Sequence, residues 1–151
     1  MAPQDHDGST RDRQMGRRPL TESERTELLD LPVPAVFSTI TRGGTIHSVP
    51  VHFLSRDAEL RIIAERDSVK CRNARRTGRA TMCVVATVGP ERRYATMEGR
   101  LRIDERVEDR DLAMLGHRYG LELGRADDDD YADSVTLALL PEGWIAWADF
   151  D

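Results

Sequence analysis

Glu59-Leu60-Arg61-Ile62-Ile63-Ala64-Glu65-Arg66-Asp67-Ser68-Val69-Lys70-Cys71-Arg72-Asn73-Ala74-Arg75-Arg76-Thr77-Gly78-Arg79-Ala80-Thr81-Met82-Cys83-Val84-Val85-Ala86-Thr87 changes its hydrophobic period twice. In residues 59–64, Leu60, Ile62 and Ala64 alternate with more polar neighbours, which predicts a strand. Residues 68–77 read as a short helix that stops near Gly78. Ala80 to Thr87 is almost continuously apolar, the pattern of a strand buried on both faces. Helices this short between strands disfavour a doubly wound parallel sheet, which alternates strands with longer helices.

The flanking sequence extends the same reading. Thr21-Glu22-Ser23-Glu24 is a capping box followed by Leu28 and Leu29, so a helix starts at Thr21 and ends before Pro32. Ala35 to Thr41 reads as a strand, Arg42-Gly43-Gly44 as a turn, and Thr45 to Leu54 as its antiparallel partner. Pro50 within that partner marks an edge, a bulge or a gap facing a ligand. Downstream, Arg93 to Ile103 alternates as a strand. Val107 to Leu123 has helical spacing through Leu112, Leu115, Tyr119 and Leu123. Ser134 to Leu140 and Trp144 to Ala148 read as strands separated by Pro141-Glu142-Gly143. Six or seven strands in mostly hairpin order, with three short helices, predict a mainly β (α+β) fold, a small antiparallel barrel. Residues 1–19 are polar and aperiodic and are expected to form a disordered tail, with residues 20–151 as a single domain.

The chain has 151 residues, of which 39% are apolar and 32% charged, enough to build one core. Its formal net charge of −5 argues against general nucleic-acid or membrane binding, which relies on a basic face. No apolar stretch approaches the roughly 20 residues that span a bilayer. Arg17-Arg18 is not followed by the apolar region of an export signal. Cys71 and Cys83 lack a metal-ligand spacing and are too few for a disulfide framework, so both read as reduced thiols, with Cys83 packed inside a strand. These features predict a cytoplasmic protein.

Charge is unevenly placed. Residues 68–79 hold five cations and no acid, whereas Asp127 to Asp130 is an unbroken acidic run. Lys70 is the only lysine, and the other 21 of the 22 basic residues are arginine. An ammonium is a compact, rotatable point charge, while a guanidinium is a rigid planar fork. A lone lysine therefore suggests a site for a phosphate. The first turn of a helix starting near Ser68 offers free N–H groups and a positive dipole end. Ser68 adds a hydroxyl, Lys70 a full charge, and Asn73 lies one turn further on at i+3. Arg72, Arg75, Arg76 and Arg79 extend the positive field. The competing reading is a solvated amphipathic helix whose arginines pair with nearby acids.

These residues carry a family resemblance. The pieces are Val36 to Thr41, Gly43-Gly44, His47-Ser48-Val49-Pro50-Val51, and Arg66-Asp67-Ser68-Val69-Lys70-Cys71-Arg72-Asn73-Ala74-Arg75-Arg76. Arg79 to Val85, Arg93-Tyr94-Ala95-Thr96-Met97-Glu98-Gly99 and Pro141-Glu142-Gly143-Trp144 follow. Together they resemble the pyridoxamine 5'-phosphate oxidase-like (FMN-binding type) split β-barrel proteins, nearest to the deazaflavin (coenzyme F420)-dependent branch. The resemblance spans about residues 21–150, and Ser-x-Lys-x-x-Asn between strand and helix is its most specific part. It implies a homodimer with two cofactors in clefts between subunits. It implies that Ser68 and Lys70 contact the cofactor phosphate, assisted by Arg66 and Arg72. Pro50, Val51, Ala64 and Glu65 would flank the ring, and Tyr94, Arg92 or Arg93 would reach the partner's site.

Departures narrow the choice. Ile46 stands where many relatives have proline. The arginine-rich C-terminal signature for pyridoxine phosphate is absent, as is an Arg-x-x-x-x-Lys spacing that often accompanies FMN. This favours F420 over FMN, because a lactyl-oligoglutamate tail would use the surplus arginines. The implied activity is hydride transfer from reduced deazaflavin to a small planar substrate. That chemistry requires no nucleophile or general base from the protein, and none is assigned. The alternatives are an FMN-dependent oxidoreductase and a non-catalytic flavin- or haem-binding protein. His47 and His52, five apart on one strand, would face opposite ways and suit no shared metal. Asp127 to Asp130 lacks the spacing and glycine of a calcium loop and reads as solvated. Trp144 and Trp147, three apart, would also face opposite ways, one toward the core and one toward a dimer seam.

Overall fold

The computed structural model describes residues 16–150. Its elements run β1 (Gly16–Pro19), α1 (Glu22–Asp30), β2 (Ala35–Ile40), β3 (Ile46–Val51), β4 (Leu54–Arg56) and β5 (Glu59–Glu65). There follow α2 (Val69–Thr77), β6 (Arg79–Val88), β7 (Glu91–Asp104), α3 (Asp109–Tyr119), a 3-10 turn at Asp129–Tyr131, and β8 (Ser134–Phe150). The eight strands form one antiparallel sheet in the order β3-β2-β6-β7-β8-β5-β4, with β1 added along the far end of β8. β3 and β4 end the path, so the sheet is not closed. The fold is α+β, with three helices against a predominantly β framework.

Each start and stop has a local cause. Thr21 accepts from the Glu24 N–H at 3.2 Å while Glu24 accepts from the Thr21 N–H at 3.1 Å, so the capping box opens α1. Ser68 caps α2, and Gly78 ends it at φ 64°, a left-handed conformation that suits glycine. Pro50 is tolerated because β3 is an edge strand.

Three expectations are corrected. Gly16–Pro19, assigned to the disordered tail, pairs with β8 in register Gly16↔Phe150 to Pro19↔Trp147. A polar stretch can add to a sheet edge through its backbone alone, which hydrophobic periodicity does not register. Residues 1–15 and 151 lie outside the described residues. Thr45 to Leu54 is two strands, interrupted at His52-Phe53 where Phe53 is buried. Conversely, the two expected C-terminal strands are one, because Glu142 is an extra residue opposite Glu98-Gly99 rather than part of a turn. A Cβ on Gly99 would collide with the Leu140 carbonyl oxygen, so glycine is required at that crossing.

The sheet has two unlike faces. Phe37, Met82, Val84, Met97, Leu60, Ile62, Leu137 and Leu139 form the inner face and meet Leu28 and Leu29 of α1 and Cys71 and Ala74 of α2. On the outward face, paired residues form a row across five strands: Pro50–Val36–Cys83–Thr96–Ile145. Val85, Tyr94 and Trp147 form a second row beside it. Val85 is 53% exposed and Ile145 59%. Cys83 lies within a strand as expected but on this outward, half-buried side, whereas Cys71 is the fully enclosed thiol. No described helix is long and apolar enough to cross a membrane.

Candidate functional site

The turn from β5 into α2 is built by its backbone. The Ser68 N–H donates to the Glu65 carbonyl at 3.0 Å, and the Arg66 N–H donates to the Asp133 carbonyl at 2.7 Å, anchoring the turn beside β8. The Ser68 hydroxyl oxygen accepts from the Cys71 N–H at 3.3 Å, so its first task is capping. One turn of helix then sets Lys70 half-buried in a cleft of about 310 Å³. Pro50 and Val51 of β3, His52 and Ile63 share that cleft, so three residues expected at the ligand come together there. The Lys70 ammonium has no hydrogen-bond or ion-pair partner among the described residues, and no carboxylate lines the cleft.

The opposite wall was not foreseen. It consists of Leu112 and Leu115 of α3, Leu121 and Leu123 from the segment after it, and Tyr131. The helical spacing of Leu112 and Leu115 is visible in the sequence but reads as core. α3 ends at Gly120 (φ 66°), and the Leu121 N–H returns to the Gly116 carbonyl at 2.9 Å, folding the segment back over the cleft. Asp109 accepts from the Ala126 N–H at 2.7 Å, and Asp128 from the Arg125 N–H at 2.8 Å, so this segment is tied down. The Tyr131 hydroxyl donates to the Leu123 carbonyl. Its phenol is pushed up by burial, then by the charges of Asp130 and Asp128.

The other expected residues are distributed around this cleft. Arg72 and Asn73 line a second, larger cleft of about 720 Å³ with Thr41, Arg42, Val69, Arg75 and Arg76. Residues 69, 72, 73 and 76 are one helical stripe, displaced from Lys70 around the axis of α2. Arg42 and Arg72 have no acidic partner among the described residues, and Arg76 donates only to neutral acceptors, Asn73 and the Ile40 carbonyl. Asn73 is 3% exposed and donates to Thr39 Oγ1 at 3.0 Å, so its amide is committed to the interior. Arg66 pairs with Glu105, which also accepts from Arg75 at 2.8 Å. Arg75, then Arg66, holds the Glu105 carboxyl below its usual range. Ala64 is core, and Glu65 is exposed with its carbonyl used by the turn. Tyr94 stands on the outward face, bonded to Arg17 beside Trp147, in neither cleft.

The two histidines are set apart, although His52 lies just past β3 rather than on one strand with His47. His47 pairs with Thr39 on the inner side and buries Nδ1 without a partner, whereas His52 is exposed and lines the Lys70 cleft. Trp147 lies outward and Trp144 stacks under the Arg25 guanidinium at 5.1 Å.

No family model and no curated protein matches the sequence. Solved structures do match in fold. A FAD-binding protein from Mesorhizobium loti superposes with a TM-score of 0.73 at 17% identity, over 91% of this chain and 99% of that one. An F420 reductase matches with a TM-score of 0.68 at 22% identity, over 79% and 94%. A Listeria innocua protein described as a pyridoxamine 5'-phosphate oxidase matches with a TM-score of 0.66 at 13% identity, over 82% and 95%. At these identities the likeness is one of fold: the chain has the open, split-barrel arrangement of these proteins.

Proposed function

We propose that the protein is a homodimeric oxidoreductase that holds coenzyme F420 in the Lys70 cleft and reduces a small planar substrate. One observation carries the reading. The chain's single lysine, half-buried and without a partner among the described residues, faces a cleft that also contains Pro50 and Val51 and no acid. A cation placed so is a poor structural choice unless an anion completes it.

The residues fit such a group. Lys70 holds the phosphate, with the first-turn amides of α2 behind it. Pro50, which has no N–H to satisfy, and Val51 offer a flat backbone edge to a planar ring. When bound, the coenzyme supplies two-electron hydride chemistry, and the chain's part is to grip, orient and exclude water. The arginine cleft on the adjacent stripe of α2 favours F420 over FMN. Its three guanidiniums without carboxylate partners, Arg42, Arg72 and Arg76, suit the carboxylates of an oligoglutamate tail.

Two features support a second copy. The 310 Å³ cleft lies at the bottom of the range of about 300–1,000 Å³ for ligand pockets, too little for cofactor and substrate together. Pro50 belongs both to that cleft and to the outward apolar row, so a partner seated on the outward face would complete the cleft. The assignment of Tyr94 to the partner's site is consistent with its outward position.

Fluorescence titration with F420 and with FMN tests the reading. F420 is expected to bind at least about tenfold more tightly, a difference one well-placed charged contact supplies. Tighter binding of FMN would move the assignment to the FMN-dependent alternative. Binding of neither would reject the cofactor site.

A further inference from the structure

Among the residues lining the Lys70 cleft, His52 supplies the imidazole, the side chain used most often as a general acid or base. Its ring stacks on Tyr119, with centroids 4.1 Å apart and planes 19° from parallel. Tyr119 is itself pinned: its hydroxyl donates to the Val33 carbonyl at 2.9 Å and accepts from the Phe53 N–H at 3.2 Å. The imidazole therefore rests on a fixed aromatic support. Neither of its ring nitrogens is hydrogen-bonded to a described residue, and the side chain is exposed, which gives water access for reprotonation.

The other groups facing this cleft are engaged. Lys70, from α2, is assigned to the anionic group. Tyr131 donates to the Leu123 carbonyl. The α3 wall, Leu112 and Leu115, is apolar. Among the described residues of this chain that line the cleft, this leaves His52 as the polar side chain free to neutralise a charge created on a substrate.

We infer that His52 is the general acid of this cleft, donating the proton that completes reduction of the substrate. The inference rests on the reading of the cleft as a hydride-transfer site. When bound, a reduced flavin or deazaflavin would supply a hydride, and with it two electrons, to an electron-poor carbonyl or conjugated double bond of a substrate in the Lys70 cleft. The oxyanion or enolate left behind takes the proton from the His52 imidazolium: an N–H bond breaks and an O–H bond forms. Neutral His52 then recovers a proton from water.

Wild type and His52→Gln, each loaded with F420 or FMN and reduced, are compared with menadione as acceptor. Both are expected to bind the same cofactor with affinities within about threefold. His52→Gln is expected to turn over about a hundredfold more slowly, the lower end for loss of a general acid. It should also lack the alkaline fall in rate that wild type shows as the imidazolium loses its proton. A readout independent of turnover comes from histidine-labelled protein by NMR. The His52 signals, identified by their loss in His52→Gln, are expected to move when oxidised cofactor binds. Unchanged rate and pH profile with cofactor bound, or His52 signals that ignore loading, would overturn the inference. A wild type that binds neither cofactor would instead overturn the reading of the cleft, and the role of His52 with it.

Discussion

Asn73 and Lys70 stand three residues apart on α2 yet do opposite work. Asn73 is spent on structure: it links α2 to β2 through Thr39 and accepts from Arg76 at 3.1 Å. Asn73→Ala strips buried groups of their partner and is expected to lower the unfolding free energy by about 1–3 kcal/mol in urea denaturation. Lys70→Ala removes an ammonium with no protein partner among the described residues, so the urea midpoint should stay put. Cofactor affinity should instead fall by more than about tenfold, the worth of a charged hydrogen bond. Arg110→Ala, exposed on α3, is expected to change neither quantity. Equal cofactor affinities for Lys70→Ala and Arg110→Ala in fluorescence titration would reject Lys70 as the anchor. The motif made the start of the helix near Ser68 and the placement of Lys70 in its first turn legible in advance. It did not reveal where Asn73 points, because i+3 spacing fixes an angle around the helix and not the element packed there. Thr39 is 34 positions away, and Glu105, which claims Arg66, is 39.

At the scale of elements, α3 matters because it supplies the apolar wall, and ion pairs help hold it. Asp111, 1% exposed, accepts from Arg61 at 2.8 Å and from Arg56 at 2.9 Å, binding the first turn of α3 to β4 and β5. Arg61 is itself only 3% exposed and would keep Glu59 at 2.8 Å and Glu108 at 3.3 Å, so Asp111→Ala would remove one of its carboxylate partners rather than strand it. The expected loss is about 1–3 kcal/mol of stability, seen as a lower urea midpoint. Neighbouring carboxylates add a pH signature. Arg102, then Arg61, holds Glu59 below its ordinary 4.5, and Arg102 holds Asp104 below its ordinary 3.8. A depressed carboxylate adds stability that is fully present above its unfolded value and is lost as pH falls through its folded one. The urea midpoint should therefore hold from neutrality to about pH 5 and decline below it. A Glu59→Gln, Asp104→Asn double variant should lose less between about pH 5 and pH 2; an identical decline would show that these carboxylates do not govern it. The helix was legible from its period, but its docking was not, since Arg61 and Asp111 are 50 positions apart. β8 failed for the opposite reason: Pro141-Glu142-Gly143 has the composition of a turn, and only pairing with β7 shows it to be a bulge.

For the molecule as a whole, the α+β class and antiparallel order follow from short alternating runs and hairpin turns. What the pattern does not announce is that the outward face would also be apolar. Ser48, Ser38, Thr81 and Glu98 on that face look solvated, whereas Val36, Val85 and Ile145 gather only once the register is known. A contiguous exposed apolar surface on a sheet marks an interaction site, and here it abuts the Lys70 cleft at Pro50. A self-complementary patch is the usual basis of a two-fold dimer. Sedimentation equilibrium is expected to give twice the 17.1 kDa chain mass for wild type. Val85→Arg combined with Ile145→Arg places like charges on that patch and should shift the protein to the single-chain mass. Both positions are more than half exposed in the isolated chain, so the fold has room for the new side chains and the urea midpoint should hardly move. If a second copy completes the cleft, the same double variant should also lose cofactor affinity although neither residue lines the cleft. A wild type that sediments as one chain and still binds cofactor fully would show that the cleft needs no partner.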